Sequence, residues 1–214
     1  MLAAMKRLPR SGEHGETLVG LLVGLSVGLV VLAAGAQMLA QHLRGHRLSL
    51  QSSHLQHDLR SAMDWMAREL RQAQYAAGAW QTRSPTACDD TFCDGFEDFS
   101  IEDDWIDFSH DRNHNGVQDD NECMGFRLSD KVLMARRSCS GSGNWVALTD
   151  GASLEVTALN WQLACEARHG WLHRSVQITL SGQWPGDASP PIQLSQTVHL
   201  RNDLPASAQT LFCP

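Results

Sequence analysis

The chain has 214 residues, 43% of them hydrophobic, so it can build a core of ordinary size and is not a disordered polymer. Seventeen Lys and Arg against 24 Asp and Glu give a net charge of −7, which excludes a basic, phosphate-reading surface as the default. The charge is uneven: Asp89 to Glu122 holds 13 acidic residues and one base, Arg112, a local net of −12. Such a block repels itself unless water or cations neutralise it.

Met1–His14 is short and mixed, with Lys6, Arg7 and Arg10. Leu18 to Ala36 then runs without a charge, and the extension to Ala40 adds Gln37 as its one strongly polar residue. About 20 apolar residues suffice to cross a hydrocarbon core as a helix. The preceding bases orient the amino terminus to the cytoplasm. A secretory signal cut near Ala34-Gly35-Ala36 and a simple uncleaved anchor are the alternatives. Gly20, Gly24 and Gly28 recur every fourth residue, a small-residue face that lets another membrane helix approach.

The helical pattern continues beyond the apolar run. Leu55, Leu59, Met63, Met66, Leu70 and Ala73 form one amphipathic stripe, and no proline falls between Arg10 and Pro85. Gly45 is a weak point and Gly78 a stop signal. One helix is therefore expected to start in a membrane and end packed on a soluble domain.

The six cysteines, Cys88, Cys93, Cys123, Cys139, Cys165 and Cys213, all follow residue 87, and no C-x-x-C occurs. Disulfides in an oxidising compartment fit this better than zinc. Six cysteines allow 15 pairings. The simplest joins Cys88 to Cys93, Cys123 to Cys139 and Cys165 to Cys213.

Asp111 to Glu122 reads D-x-N-x-N-G-x-x-D-x-x-E, the spacing of a twelve-residue calcium loop. Asp111, Asn113, Asn115, Asp119 and Glu122 would offer side-chain oxygens, and Val117 a carbonyl. Gly116 permits the reversal. Hard oxygen donors select Ca2+ over transition metals. Gln118 stands where an aliphatic residue is usual, and strands rather than helices flank the loop. An Asn/Asp/Gly-rich solvated turn is the alternative. His110 and His114 read as surface residues.

Strand signals cover Trp105–Phe108, Met124–Leu128, Val132–Met134, Leu154–Val156, Val176–Leu180 and Gln196–Leu200, separated by turn residues. An antiparallel sheet packed on the second half of the helix is expected. Trp161, Trp171 and Trp184 read as core or sheet-edge residues. No G-x-S-x-G, H-E-x-x-H, P-loop or G-x-G-x-x-G occurs, so no enzyme is expected.

Gly15-Glu16-Thr17-Leu18-Val19, after a basic leader and before an apolar helix, resembles the type IV prepilin cleavage signal. Leu59 to Ala73 is similar to the helix of PilW-type minor pilins and the related GspJ pseudopilins. Ser175–Leu180 and Val198–Asn202 are similar to that group's last strands. The resemblance implies an α+β fold: a long N-terminal helix, half membrane and half amphipathic, on an antiparallel sheet. It implies a leader over 1–15, an assembly helix over 16–40, its amphipathic continuation over 41–79 and a periplasmic β-rich domain over 80–214. Prepilin peptidase would cut after Gly15, and the new terminus at Glu16 is a site of methylation in that family. The mature chain would carry −9, because the leader holds +2.

The resemblance further implies a minor subunit of a type IV pilus, anchored in the inner membrane and later displayed at the cell surface. Partners would be major and minor pilins and the inner-membrane assembly platform, in a machine serving adhesion and twitching motility. Glu16 replaces the usual first Phe, and Gly20 replaces the usual fifth Glu. A subunit without that carboxylate fits the filament's tip or its priming complex. The alternatives are a type II secretion pseudopilin and a membrane-anchored calcium-dependent binding module. No direct contact with nucleic acid is expected, since the acidic block repels phosphate.

Overall fold

A computed structural model describes residues 17–140, 144–187 and 190–213. The long helix α1 runs Leu18–Leu70, about 80 Å at 1.5 Å per residue. Thr17 caps it: its Oγ1 accepts the Gly20 N–H at 3.3 Å, and its carbonyl accepts the Leu21 N–H. The chain divides into two units, Met1–Leu50 and Gln51–Pro214.

In the first unit every described residue is exposed, including the leucines and valines of the apolar run. This is one helix long and apolar enough to cross a membrane. A Cβ at Gly24 or Gly28 would meet nothing, so that face is open.

In the second unit the helix buries Leu55, Leu59, Met63, Met66 and Leu70, the stripe read from the sequence, and Ala73 is buried just beyond the helix. The helix stops at Leu70, well before Gly78. Gln74 takes a left-handed φ of 57° and donates its N–H to the Ser109 carbonyl. The last carbonyls then find partners far along the chain. Arg201 N–H reaches Arg71, and the Asn202 amide reaches Gln72 and Ala73. Gly78 instead takes its positive φ before a short helix α2 over Ala79–Thr82.

A small hairpin follows, β1 (Arg83–Ser84) with β2 (Ala87–Cys88). One antiparallel sheet comprises β3 (Phe99–Ile101), β4 (Trp105–Ser109), β5 (Cys123–Ser129), β6 (Val132–Arg136) and β7 (Val146–Ala147), in that order. Asp130 and Lys131 both have positive φ in the two-residue turn joining β5 to β6. A second antiparallel sheet holds β8 (Glu155–Arg168), β9 (Trp171–Gln183), β10 (Ile192–His199) and β11 (Leu204–Pro205). The chain ends in a short helix α3 over Gln209–Phe212.

Beside the small hairpin, the described residues thus form two larger sheets where the sequence reading has one. The cause lies in β8 and β9. His169 and Gly170 form a positive-φ turn, and the two strands pair along almost their whole length. A hairpin that local satisfies its own ladder and gives the chain a second layer. Helix and sheets share one core. Trp65 from α1 meets Phe126 from β5 edge-on at 5.2 Å, and Phe126 lies 6.2 Å from Trp161 of β8. At Gly182 a Cβ would lie 2.9 Å from Leu59 Cδ2, so the glycine lets helix and sheet approach closely. Trp161 is core, and Trp171 and Trp184 are half-buried.

Candidate functional site

The acidic loop lies between β4 and β5 and turns on Gly116 at φ 75°. Its end residues are its most buried: Asp111 and Glu122 are 1% and 0% exposed. Each carboxylate organises backbone. Asp111 Oδ2 accepts the Ala77 and Gly116 N–H groups at 2.8 and 2.9 Å, and Oδ1 accepts Asn115 N–H. Burial works to raise its pKa, and these backbone donors together hold it below the ordinary carboxylate range. Glu122 Oε1 accepts the Arg112 and Asn113 N–H groups, and Oε2 accepts Asp119 N–H at 2.9 Å.

Three polar side chains meet at the loop's exposed side. Asp119 Oδ2 lies 2.6 Å from Asn113 Nδ2 and 3.0 Å from Asn115 Nδ2. The Asn113 and Asn115 Oδ1 atoms accept N–H groups two residues on, which shapes the turn. Val117 is exposed. Asp111, Asn113, Asn115, Asp119 and Glu122 are therefore brought into one loop. The carboxylates of Asp111, Asp119 and Glu122 do not gather into one cluster. The cluster of metal-type side chains found among the described residues, Cys88, Asp90 and Cys93, contains a disulfide.

The loop is buttressed from outside. Gln118, the departure from the usual aliphatic residue, donates from Nε2 to buried Asp98. Asp120 accepts the Ser138 hydroxyl and the Ser140 N–H, and the Ser140 and Ser138 hydroxyls lead the influences that lower its pKa. Arg136 donates to the Ser138 and Cys139 carbonyls and to Asp107 Oδ2 at 2.8 Å. Tyr75 OH meets His114 Nδ1 at 3.0 Å. His110, expected on the surface, is 2% exposed, because its N–H pairs with the Glu122 carbonyl inside the fold.

Two carboxylates of the block are paired with arginines, Asp90 with Arg83 and Asp107 with Arg136. Asp90 sits against Arg83 in a bidentate pair at 2.6 and 2.9 Å. Burial raises the Asp107 pKa while Arg136 opposes it. The disulfides join Cys88 to Cys93, Cys123 to Cys139 and Cys165 to Cys213. The second ties the exit of the acidic loop to the segment that carries Ser138 and Ser140.

A second polar site escaped the sequence reading. Trp80, Arg83, Trp171, His173, Arg201 and Asp203 line an open cleft of about 410 Å3 at the end of the β8–β9 hairpin. Their numbers span more than a hundred residues, so no local signal announces them. Gly15 and Glu16, the cleavage residues, lie outside the described residues. Gly20, Gly24 and Gly28 all fall on the exposed part of α1.

A long apolar helix that turns amphipathic and seats on antiparallel sheets defines an α+β protein. Residues 48–200 match the family model described as prepilin peptidase-dependent protein B, PpdB, which covers more than two thirds of the chain. The chain belongs to that family. Nothing among curated proteins and nothing among solved structures matches it.

Proposed function

We propose that this chain is a minor subunit of a type IV pilus. Prepilin peptidase cuts the leader 1–15 after Gly15. The apolar helix then holds the protein in the inner membrane, with the globular part in the periplasm, until a filament is built. The observation that carries the reading is the two-part helix. Leu18–Ala40 exposes an apolar surface that water does not tolerate, while Leu55 to Leu70 is locked into a core. The exposed part suits lipid first and other pilin helices afterwards, with Gly20, Gly24 and Gly28 at the close contacts. Gly20 in place of Glu removes the need to pair a carboxylate in lipid, which suits a tip or priming subunit.

Intact mass of the protein from its native membrane, with and without the peptidase, tests this. A chain beginning at Glu16, seen only with the peptidase, is the expected result. Retention of Met1–Gly15 in both strains, or a cut near Ala36, would remove the reading. Recovery in sheared surface filaments separates the pilus from a secretion pseudopilus.

We also propose that the acidic loop takes Ca2+. Asp111, Asn113, Asn115, Asp119 and Glu122 would hold it, with the Val117 carbonyl. The donor set is all oxygen, and Asn113, Asn115 and Asp119 already converge. Rotation of the two amides would turn their oxygens inward. Bound calcium would screen the loop's charge and stiffen it. Titration calorimetry of the full-length protein in detergent should show one saturable site; no heat at millimolar calcium would sink the idea.

A further inference from the structure

We propose that the cleft beside α2 is a binding site for a saccharide that carries a carboxylate. The inference does not depend on which pilin-type machine the chain serves. Trp80 is 82% exposed, the most exposed large hydrophobic residue described in the second unit. An exposed indole at the rim of a cleft offers a flat apolar face for a ligand to cover. Trp171 offers a second indole from the start of β9, and the cleft has no Leu, Ile, Val or Met in its lining. An aliphatic helix or peptide therefore finds no complementary wall.

The polar lining is as specific as the aromatic one. His173 Nδ1 and Asp203 Oδ1 face each other at 3.0 Å, both half-exposed, and present donor and acceptor atoms to the cleft. Arg201 is exposed and has no carboxylate partner among the described residues. A pyranose has an apolar C–H face and a rim of hydroxyls. The indoles suit the face, and Asp203 and His173 suit the rim. A guanidinium without a partner suits a sugar carboxylate, which it grips with two parallel N–H groups.

The backbone that carries these side chains is fixed before any ligand arrives. Arg83 is held by Asp90, and the Asn202 amide by the end of α1. The turn at Gly170 packs on Pro85 of the first hairpin so closely that a Cβ would lie 2.9 Å from its Cβ. That contact sets the β1–β2 side, next to Trp80, against the β9 side, which carries Trp171. The Ala206 N–H adds a bond to the Gly170 carbonyl. Preorganisation of this kind lowers the ordering cost of binding.

Two other occupants fit less well. A nucleic acid strand would also stack on indoles, but it needs several free cations, and Arg201 stands beside Asp203 on a chain of net charge −7. A protein partner needs roughly 800 Å2 of surface on each side, whereas a cleft of about 410 Å3 suits one or two sugar rings.

The test uses the full-length protein in detergent, with trigalacturonate and 3′-sialyllactose as acidic probes and maltotriose as the neutral one. Calorimetry should show saturable binding of at least one acidic probe below ~10 mM, at least about tenfold tighter than maltotriose. W80A should weaken it by about tenfold or more. R201Q should abolish the preference for the acid. Both side chains are exposed, so a native circular dichroism spectrum is expected for each variant. Three results would overturn the proposal: no saturable binding of either acid, binding unchanged in both variants, or tighter binding of a twelve-residue oligothymidylate.

Discussion

Asp98 shows how one residue links the acidic loop to the core. It is 1% exposed, and its Oδ1 accepts the Ser109 hydroxyl and the Gln118 amide while Oδ2 accepts Gly95 N–H. Burial is the largest influence and pushes its pKa up to about 6, against the Ser109 and Gly95 bonds that lower it. The folded protein therefore holds this proton more tightly than the unfolded chain, whose value is near 3.8. Between those two values the native state binds the extra proton. Stability from this group is greatest below about pH 4 and falls as pH rises to about 6. Asp98→Asn cannot titrate. Its melting temperature relative to wild type should rise from pH 4 to pH 6 and then level off. A difference that stays constant with pH would refute the assignment.

At the scale of elements, the buttress behind the acidic loop depends on a missing side chain. Asp107 of β4, Gly125 of β5 and Arg136 of β6 stand in one row across three strands. A Cβ on Gly125 would lie 1.8 Å from Asp107 Oδ1 and 2.7 Å from the Ile106 carbonyl. The glycine is the floor over which Asp107 reaches Arg136, and Arg136 in turn holds the Cys139 segment. Gly125→Ala must push Asp107 aside and move backbone. A loss of about 1–3 kcal/mol is expected by denaturant unfolding. An unchanged midpoint would show that the row carries no load.

The same scale separates what the sequence discloses from what it hides. The stripe from Leu55 to Leu70 is legible because helical periodicity is local. The strands around the acidic loop are legible for similar reasons, as is the five-residue spacing of Cys88 and Cys93. Cys165 and Cys213 instead meet across 48 residues, and the sequence offers that pair only as part of the simplest pairing. The helix end is not legible. Asn202 caps Gln72 and Ala73 from some 130 positions away, and nothing near Leu70 signals it. The second sheet is hidden in part, because the irregularity between Val156 and Ala158 shifts the alternation of β8 by one residue. The cleft is hidden altogether, since Trp80 and Arg201 meet only through tertiary structure.

For the whole molecule, the cysteine bridges divide the work unequally. Cys88 and Cys93 are five residues apart, and Cys165 and Cys213 are 48 apart. In the chain-entropy account, closing the longer loop is worth about 4 kcal/mol and the shorter about 2. The longer bridge also anchors the tail whose Phe212 packs in the core, 5.8 Å from the Arg174 guanidinium. Arg174 is buried, lies 5.0 Å over Phe99, and donates to Gln74 Oε1 and to the Asn202 carbonyl. Burial, its largest influence, lowers its pKa to about 9, and the bonds to Gln74 and Asn202 with the two ring faces offset the cost of the buried charge. Release of the tail would open that surround and loosen the cap on α1. The double variant Cys165→Ser, Cys213→Ser should therefore melt well below Cys88→Ser, Cys93→Ser, with both measured on the full-length protein in detergent. It should also show earlier hydrogen exchange at Arg201, whose N–H meets the Arg71 carbonyl. Equal melting temperatures in the two double variants would mean that the tail is held by packing alone and that its bridge is redundant.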